Sequence, residues 1–151
     1  RVMLMGTGQD TVERLSGKDL TGDGVVINLV VVGSSTFYDF SIVEEHLDNW
    51  VEVAGWPDLI IVGGASGVDY LVERWADNNN VKIAVFREAW IANRQGLEDS
   101  GRFEARESLV EDLLSKATHL IAFPESRSKW TKVAIEKARE MGIPTSVLEL
   151  T

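Results

Sequence analysis

The apolar residues of the chain fall into short continuous runs that alternate with stripes of helical spacing. Five short runs, rich in β-branched residues, are typical of strands buried on both faces of a parallel sheet. Between them, apolar positions recur every three or four residues, as on the inner face of an amphipathic helix. The runs predict strands at 25–32, 59–62, 81–86, 119–123 and 145–150, and the stripes predict helices beginning near residues 40, 68, 103 and 130.

Strands that alternate with helices through short connections are typical of a doubly wound sheet. Ser41 and Glu44 predict a capping box at the start of the helix that begins at Phe40. We therefore predict an α/β fold over residues 25–151: a three-layer, Rossmann-like, doubly wound arrangement with a mostly parallel five-stranded sheet and helices on both faces. Residues 1–24 show no sustained period and are predicted to form an N-terminal arm or an extra hairpin.

Composition and charge narrow the classes of function. The chain has 151 residues, a net charge of −9 and no cysteine. The charge disfavours bulk nucleic acid and anionic membranes as partners, and the missing thiols exclude disulfides and Cys-ligated metals. Two histidines argue against a His-rich metal site, so we predict neither a metal nor a cofactor. No apolar run reaches the ~20 residues of a spanning helix, and we expect a cytoplasmic domain.

Three polar segments follow predicted strands and lead into predicted helices. In an open parallel sheet, ligands bind beyond the carboxyl ends of the strands, where the strand order reverses. The segments 33–36, 63–69 and 124–131 are rich in small and hydroxyl-bearing residues, so their amides and helix N-termini are suited to hold an anion despite the global charge. The alternatives are tight packing for the Gly-Gly turn, helix capping for 34–36, and solvated basic residues in 124–131.

Three motifs resemble those of the SLOG superfamily: GSSTFYD at 33–39, GGASGVD at 63–69 and RFEARE at 102–107. The likeness is greatest to the small stand-alone YspA-like branch, whose closing strand–helix–strand resembles residues 117–148. The superfamily also includes DprA proteins and the LOG enzymes, which cleave the N-glycosidic bond of nucleoside monophosphates. The resemblance implies a Rossmann-like domain that binds a nucleotide or nucleotide-derived ligand, and it suggests a homo-oligomer.

The resemblance also implies a set of site residues. Asp69 would face the sugar or order the second loop, and Arg106 would reach a phosphate or the scissile region. The implied ligand-binding residues are Gly33, Ser34, Ser35, Gly63, Gly64, Ala65, Ser66, Gly67, Arg106, Ser128, Lys129, Trp130 and Thr131.

Three positions depart from the family pattern. Ser35 replaces a common arginine, Glu107 replaces an asparagine, and Trp130 replaces the glycine of a lysine–glycine–threonine sequence. A tryptophan there would either block a phosphate or stack on a base. The LOG reaction requires a glutamate, and in this chain Ala134 occupies the matching position. This difference argues against a LOG-type phosphoribohydrolase.

Two carboxylates and one further tryptophan complete the candidate set. Asp69 and Glu107 are a pair suited to acid–base catalysis, with a helix-start cap and a helix-face charge as the alternative. Trp90 lies in a long polar stretch that we interpret as a lid or binding loop, where it would flank a base or ribose. The remaining aromatic side chains are predicted to be structural: Trp50, Trp56 and Trp75 in the core, His46 on the surface and His119 as a structural residue.

Three functions stay open at this point. The first hypothesis is a domain that binds a nucleotide-derived small molecule at the carboxyl edge of the sheet, either as a sensor or as an enzyme that also processes it. Alternatively, it is an N-glycosidic hydrolase or transferase that acts on nucleosides or nucleotides, with Asp69 or Glu107 as its acid/base. The third hypothesis is a ligand-free oligomeric interaction module. Whether the protein is an enzyme is therefore left open by the sequence.

Overall fold

The computed structural model describes residues 7–64, 66–85, 110–111 and 113–150, with side chains from residue 11 onward. Residues 110–111 and 113–114 are helical. The strands are β1 Asn28–Gly33, β2 Leu59–Val62, β3 Ile83–Val85, β4 His119–Phe123 and β5 Thr145–Val147. The helices are α1 Thr7–Leu15, α2 Phe40–Ala54, α3 Val68–Asn78 and α4 Lys129–Glu140.

The five strands form one parallel sheet in the order β3-β2-β1-β4-β5. The chain runs outward from β1 through β2 to β3 and then returns to β4 on the other side of β1. This reversal places the topological switch point between β1 and β4, where open α/β sheets bind ligands. The predicted α/β, Rossmann-like fold is confirmed.

The sheet is covered on both faces, which explains why its strands are continuously apolar. Successive residues of β1 point to opposite faces, so Leu29 and Val31 pack with α2 and α3 while Val30 packs on the other side. That other side carries α1, the helical residues 110–111 and 113–114, and α4. The two layers of helices flank the carboxyl edge of the sheet.

The start of α2 differs from the predicted capping box. Asp39 is the N-cap residue, and its carboxylate accepts hydrogen bonds from the Ser41 amide at 3.1 Å and the Ser41 hydroxyl at 2.6 Å. The prediction of Ser41 as the cap was therefore wrong. The physical reason is that Asp39 stands in extended conformation immediately before the helix, where a carboxylate satisfies a free amide and favours the helix dipole.

The N-terminal residues include a helix where the sequence suggested an arm or hairpin. Helix α1 packs against β3 and β2, and Val12 is buried in the core beneath it. Val12 and Leu15 are only one helical turn apart, and a pattern of this length is too short to appear as a sustained period in the sequence. None of the described helices is long and apolar enough to cross a membrane.

The burial of the tryptophan side chains differs from the prediction at one position. Trp75 is fully buried, and its indole Nε1–H donates a 2.9 Å hydrogen bond to Asp48. Trp50 is half-buried and meets the ring of His119 edge-on. Trp56 is 43% exposed and stacks on Trp75 with 5.8 Å between ring centroids. The core assignment of Trp56 is therefore wrong, because it covers the core from outside.

His46 was predicted to lie on the surface, and the structure corrects this. Its ring is half-buried, packs edge-on against Phe123 at 5.3 Å, and places Nε2 3.3 Å from the Ser146 hydroxyl. Burial lowers the pKa of His46 below its ordinary value, and burial does the same to the pKa of His119. Both histidines belong to the packing between α2 and the sheet.

Candidate functional site

A cleft of about 660 Å³ opens beyond the carboxyl ends of β1 and β4, at the switch point of the sheet. Three segments that follow strands line it: residues 33–36, Gly63 with Asp69, and residues 125–131. Val32, Val110 and Leu113 add an apolar part to the lining. Polar groups that converge on a cleft with an apolar part are typical of a small-molecule site.

The loops after β1 and β2 are fastened to each other. The Val68 amide donates a 2.9 Å hydrogen bond to the Ser34 carbonyl, and the Ser66 hydroxyl donates at 2.7 Å to the Ser35 carbonyl. Gly67, with φ of 71°, makes this approach possible, since a Cβ there would lie 2.3 Å from the Ser34 carbonyl oxygen. The second loop thus supports the first.

Several backbone amides near β1 are engaged by the protein itself. The Ser34 amide donates to the Phe123 carbonyl at 3.1 Å, and the Thr36 amide donates to the Ser34 hydroxyl at 3.2 Å. The amide of Val68, at the start of α3, donates to Ser34 as described above. These three amides therefore already have acceptors, and the anion cradle expected from the sequence does not include them.

Gly33 has a packing role in addition to its place in the cleft. A Cβ at Gly33 would lie 2.8 Å from three carbon atoms of the Val68 side chain. Helix α3 can therefore reach the end of β1 only because residue 33 has no side chain. Tight packing was the alternative considered for the Gly-Gly turn at 63–64, and the structure shows such a close approach at Gly33.

Glu125 is a cleft residue that was not among the site residues predicted from the sequence. Its carboxylate oxygen Oε1 accepts hydrogen bonds from the Ser34 hydroxyl and, at 3.2 Å, from the Thr36 hydroxyl. Its backbone is held by Ser128, whose hydroxyl accepts from the Glu125 amide at 2.9 Å and whose amide donates to the Glu125 carbonyl at 3.0 Å. A carboxylate directly after a strand at the switch point was the signal available in the sequence.

The start of α4 carries the basic side chains of the cleft. Arg127 and Lys129 line the cleft, and the Lys129 ammonium lies 5.3 Å from the centroid of the Trp130 ring. Ser128, the N-cap, makes no side-chain cap bond because its hydroxyl serves Glu125. The lining thus combines two acidic side chains, Asp69 and Glu125, with two basic ones.

Trp130 lines the cleft without filling it. The side chain is half-buried, and the cleft beside it keeps its volume of about 660 Å³. Trp130 and the buried Thr131 both contribute to the lining.

Asp69 is 7% exposed, lies in the first turn of α3 and lines the cleft. A carboxylate in the first turn is stabilised by the helix dipole, as in the helix-start alternative.

The structure brings together most of the candidate residues that it describes. Gly64, Ser66 and Gly67 shape the second loop without lining the cleft. Ala65, Trp90, Arg106 and Glu107 lie outside the described residues, and with them the proposed pairing of Asp69 with Glu107. The candidates that line the cleft are Gly33, Ser34, Ser35, Gly63, Asp69, Ser128, Lys129, Trp130 and Thr131.

One acidic cluster lies away from the cleft. Oxygen atoms of Asp19, Asp23 and Asp58 lie within 4.8 Å of one another. Amide groups account for this arrangement: Asp19 accepts from the Gly24 amide at 2.7 Å, and buried Asp58 accepts from the Ile27 amide at 2.7 Å. The hydrogen bond from Gly24 is the largest cause that lowers the pKa of Asp19. These carboxylates stabilise the loop between α1 and β1 by accepting hydrogen bonds from its amides.

Residues 27–92 match the model of the YspA, cpYpsA-related SLOG family. The SLOG resemblance is confirmed over these residues. The matched segment contains β1, β2 and the two loops that are fastened together, and it covers less than half of the chain. The match ends before RFEARE and before β4, so the likeness of those parts stays a prediction. No curated protein and no solved structure gives a match to the chain.

Proposed function

We propose that the cleft between β1 and β4 binds a nucleotide-derived small molecule. SLOG membership of the segment 27–92 supports nucleotide-related binding or processing in general. The observation that carries the proposal is the position of the cleft at the switch point, where loops from both halves of the sheet converge. Its volume of about 660 Å³ is within the range of small-molecule sites.

The anionic part of the ligand is assigned to the start of α4. Arg127 and Lys129 are both exposed, and each brings a positive charge to this end of the cleft. Basic side chains at a helix N-terminus oppose the dipole, and a bound phosphate relieves that conflict. This assignment also agrees with the loop after β1, where the amides of Ser34 and Thr36 are already engaged.

The base is assigned to the Trp130 ring. Stacking on an aromatic side chain contributes about 1–3 kcal/mol per base and tolerates different bases. Among the tryptophans that the structure describes, Trp130 is the one that lines the cleft. Its replacement of a family glycine is thus interpreted as an altered ligand contact.

Isothermal titration calorimetry with nucleoside monophosphates, cyclic nucleotides, ADP-ribose and NAD tests the proposal. At least one of these probes should bind, and Trp130→Ala should weaken that binding by about tenfold or more. Trp56→Ala is the matched control, because it removes an exposed tryptophan far from the cleft lining. If none of the probes binds, the proposal fails and the ligand-free interaction module gains support.

N-glycosidic cleavage is the second candidate function. It is favoured by the two carboxylates of the cleft lining, Asp69 and Glu125, since such reactions use an acid/base or an ionised carboxylate. Release of free base from a nucleoside or nucleotide probe, detected by chromatography, would support it. Loss of that release in Asp69→Asn, with ligand affinity retained, would assign the role to Asp69. Unchanged release in Asp69→Asn would remove Asp69 from the reaction.

A further inference from the structure

We propose that Glu125 is the specificity-determining residue of the cleft and that it selects ligands with the vicinal hydroxyls of ribose. This inference rests on the proposed function and names the chemistry of one part of its ligand. It begins from the fixed position of the carboxylate. Oε1 accepts from the Ser34 and Thr36 hydroxyls, and these two hydroxyl oxygens lie 3.2 Å apart.

The carboxylate retains capacity to accept further hydrogen bonds. An ionised carboxylate has about four acceptor sites, and the two recorded side-chain bonds both end on Oε1. Within the described part of the chain, no donor is recorded to Oε2 of Glu125. The loop after β1 thus holds one oxygen and leaves the other to accept from the occupant of the cleft.

The charge of Glu125 disfavours a phosphate in direct contact with its carboxylate and favours a ligand group that donates. Asp69 lines the same cleft and adds a second negative charge. A cationic ligand group is disfavoured in turn, since Arg127 and Lys129 follow on the same loop. A neutral group with two neighbouring hydroxyls fits here, because the two acceptor sites of Oε2 can take its two donors.

The segment after β4 contributes one acidic, two basic and one aromatic side chain to the cleft. Glu125 would take the ribose, Arg127 and Lys129 the phosphate, and Trp130 the base. All four residues come from one segment that begins directly after β4 and ends in the first turn of α4. The loop therefore contains a complementary group for each part of such a ligand.

Calorimetric titration with matched pairs of ribonucleoside and 2′-deoxyribonucleoside 5′-monophosphates tests the inference. The wild-type chain should bind each ribonucleotide about tenfold more tightly than its deoxy counterpart, since hydrogen bonds to a charged acceptor are among the stronger ones. Glu125→Gln should reduce this ratio to about threefold or less, with little change for the deoxynucleotide. Glu136→Gln, an exposed residue of α4 outside the cleft lining, is the control.

The outcomes separate this inference from the proposed function. If nucleotides bind but ribo and deoxy forms bind equally, or if the preference survives in Glu125→Gln, the inference is overturned while the proposed function stands. If no nucleotide binds, both fail. Should Glu125→Gln not fold, Thr36→Val provides the second variant, because it removes one hydroxyl that holds Oε1 and should also lower the ribo-to-deoxy ratio.

Discussion

The amide of Val68 donates a 2.9 Å hydrogen bond to the carbonyl of Ser34, and this bond joins the first residue of α3 to the loop after β1. It couples the two loops that contain the SLOG-like motifs GSSTFYD and GGASGVD, both within the segment that matches the family model. The contact is possible because the intervening Gly67 has no side chain. The glycine-rich motif therefore positions the first loop through direct contact between backbones.

Gly67→Ala should destabilise the fold by about 3 kcal/mol. The new Cβ would lie 2.3 Å from the Ser34 carbonyl oxygen, a backbone atom, and residue 67 has a φ of 71° that disfavours alanine. Urea denaturation monitored by tryptophan fluorescence measures the change. Gly22→Ala is the control: its φ is 78°, but nothing lies within 4 Å of its Cβ, so only about 1 kcal/mol should be lost. Equal losses in both variants would contradict the steric argument.

Asp48→Ala should destabilise the fold by about 1–2 kcal/mol. The indole Nε1–H of fully buried Trp75 donates to the Asp48 carboxylate at 2.9 Å, and it would lose this acceptor. The free energy of unfolding from urea titration is the measurement. Asp48→Asn keeps an oxygen acceptor and should recover most of the loss. If Asp48→Asn and Asp48→Ala were equally unstable, the hydrogen bond would not be the cause.

Stability should fall as the pH drops below about 6.5, the ordinary pKa of histidine. Burial lowers the pKa values of His46 and His119 in the fold, so between the unfolded and folded values the unfolded chain binds more protons. The free energy of unfolding therefore rises with pH through that window and levels off above it. Urea titrations between pH 5 and 8 measure this slope.

His46→Gln is the variant that tests the origin of the pH dependence. Glutamine does not titrate and retains a polar group toward the Ser146 hydroxyl, so the slope below pH 6.5 should be reduced. Titration of the histidine ring signals by nuclear magnetic resonance should give pKa values below those of free histidine. Values at or above the ordinary one would contradict the argument from burial.

The sequence predicted the parallel sheet because burial of both faces leaves an apolar run that local patterns show directly. The strand order, and with it the position of the switch point, depends on pairings between distant residues and came from the structure. The sequence did not predict Glu125, because the bond between its carboxylate and the Ser34 hydroxyl joins residues 91 positions apart. Helix α1 was missed because a single turn of apolar residues gives no detectable period. The cap of α2 was misplaced because Asp39 and Ser41 are both suitable caps, and only backbone geometry distinguishes them.

Lys129→Ala should weaken binding of a nucleoside 5′-monophosphate by about tenfold and leave binding of the corresponding nucleoside nearly unchanged. The reason is that Lys129 lines the cleft at the start of α4, where the proposed function places the phosphate. Calorimetry at two salt concentrations measures both affinities, and the phosphate contribution should fall with salt because Lys129 is exposed. Arg139→Ala removes an exposed positive charge from the last turn of the same helix and is the matched control. Equal weakening in the two variants would mean that the effect is long-range electrostatics, and the phosphate would then have to be placed elsewhere in the cleft.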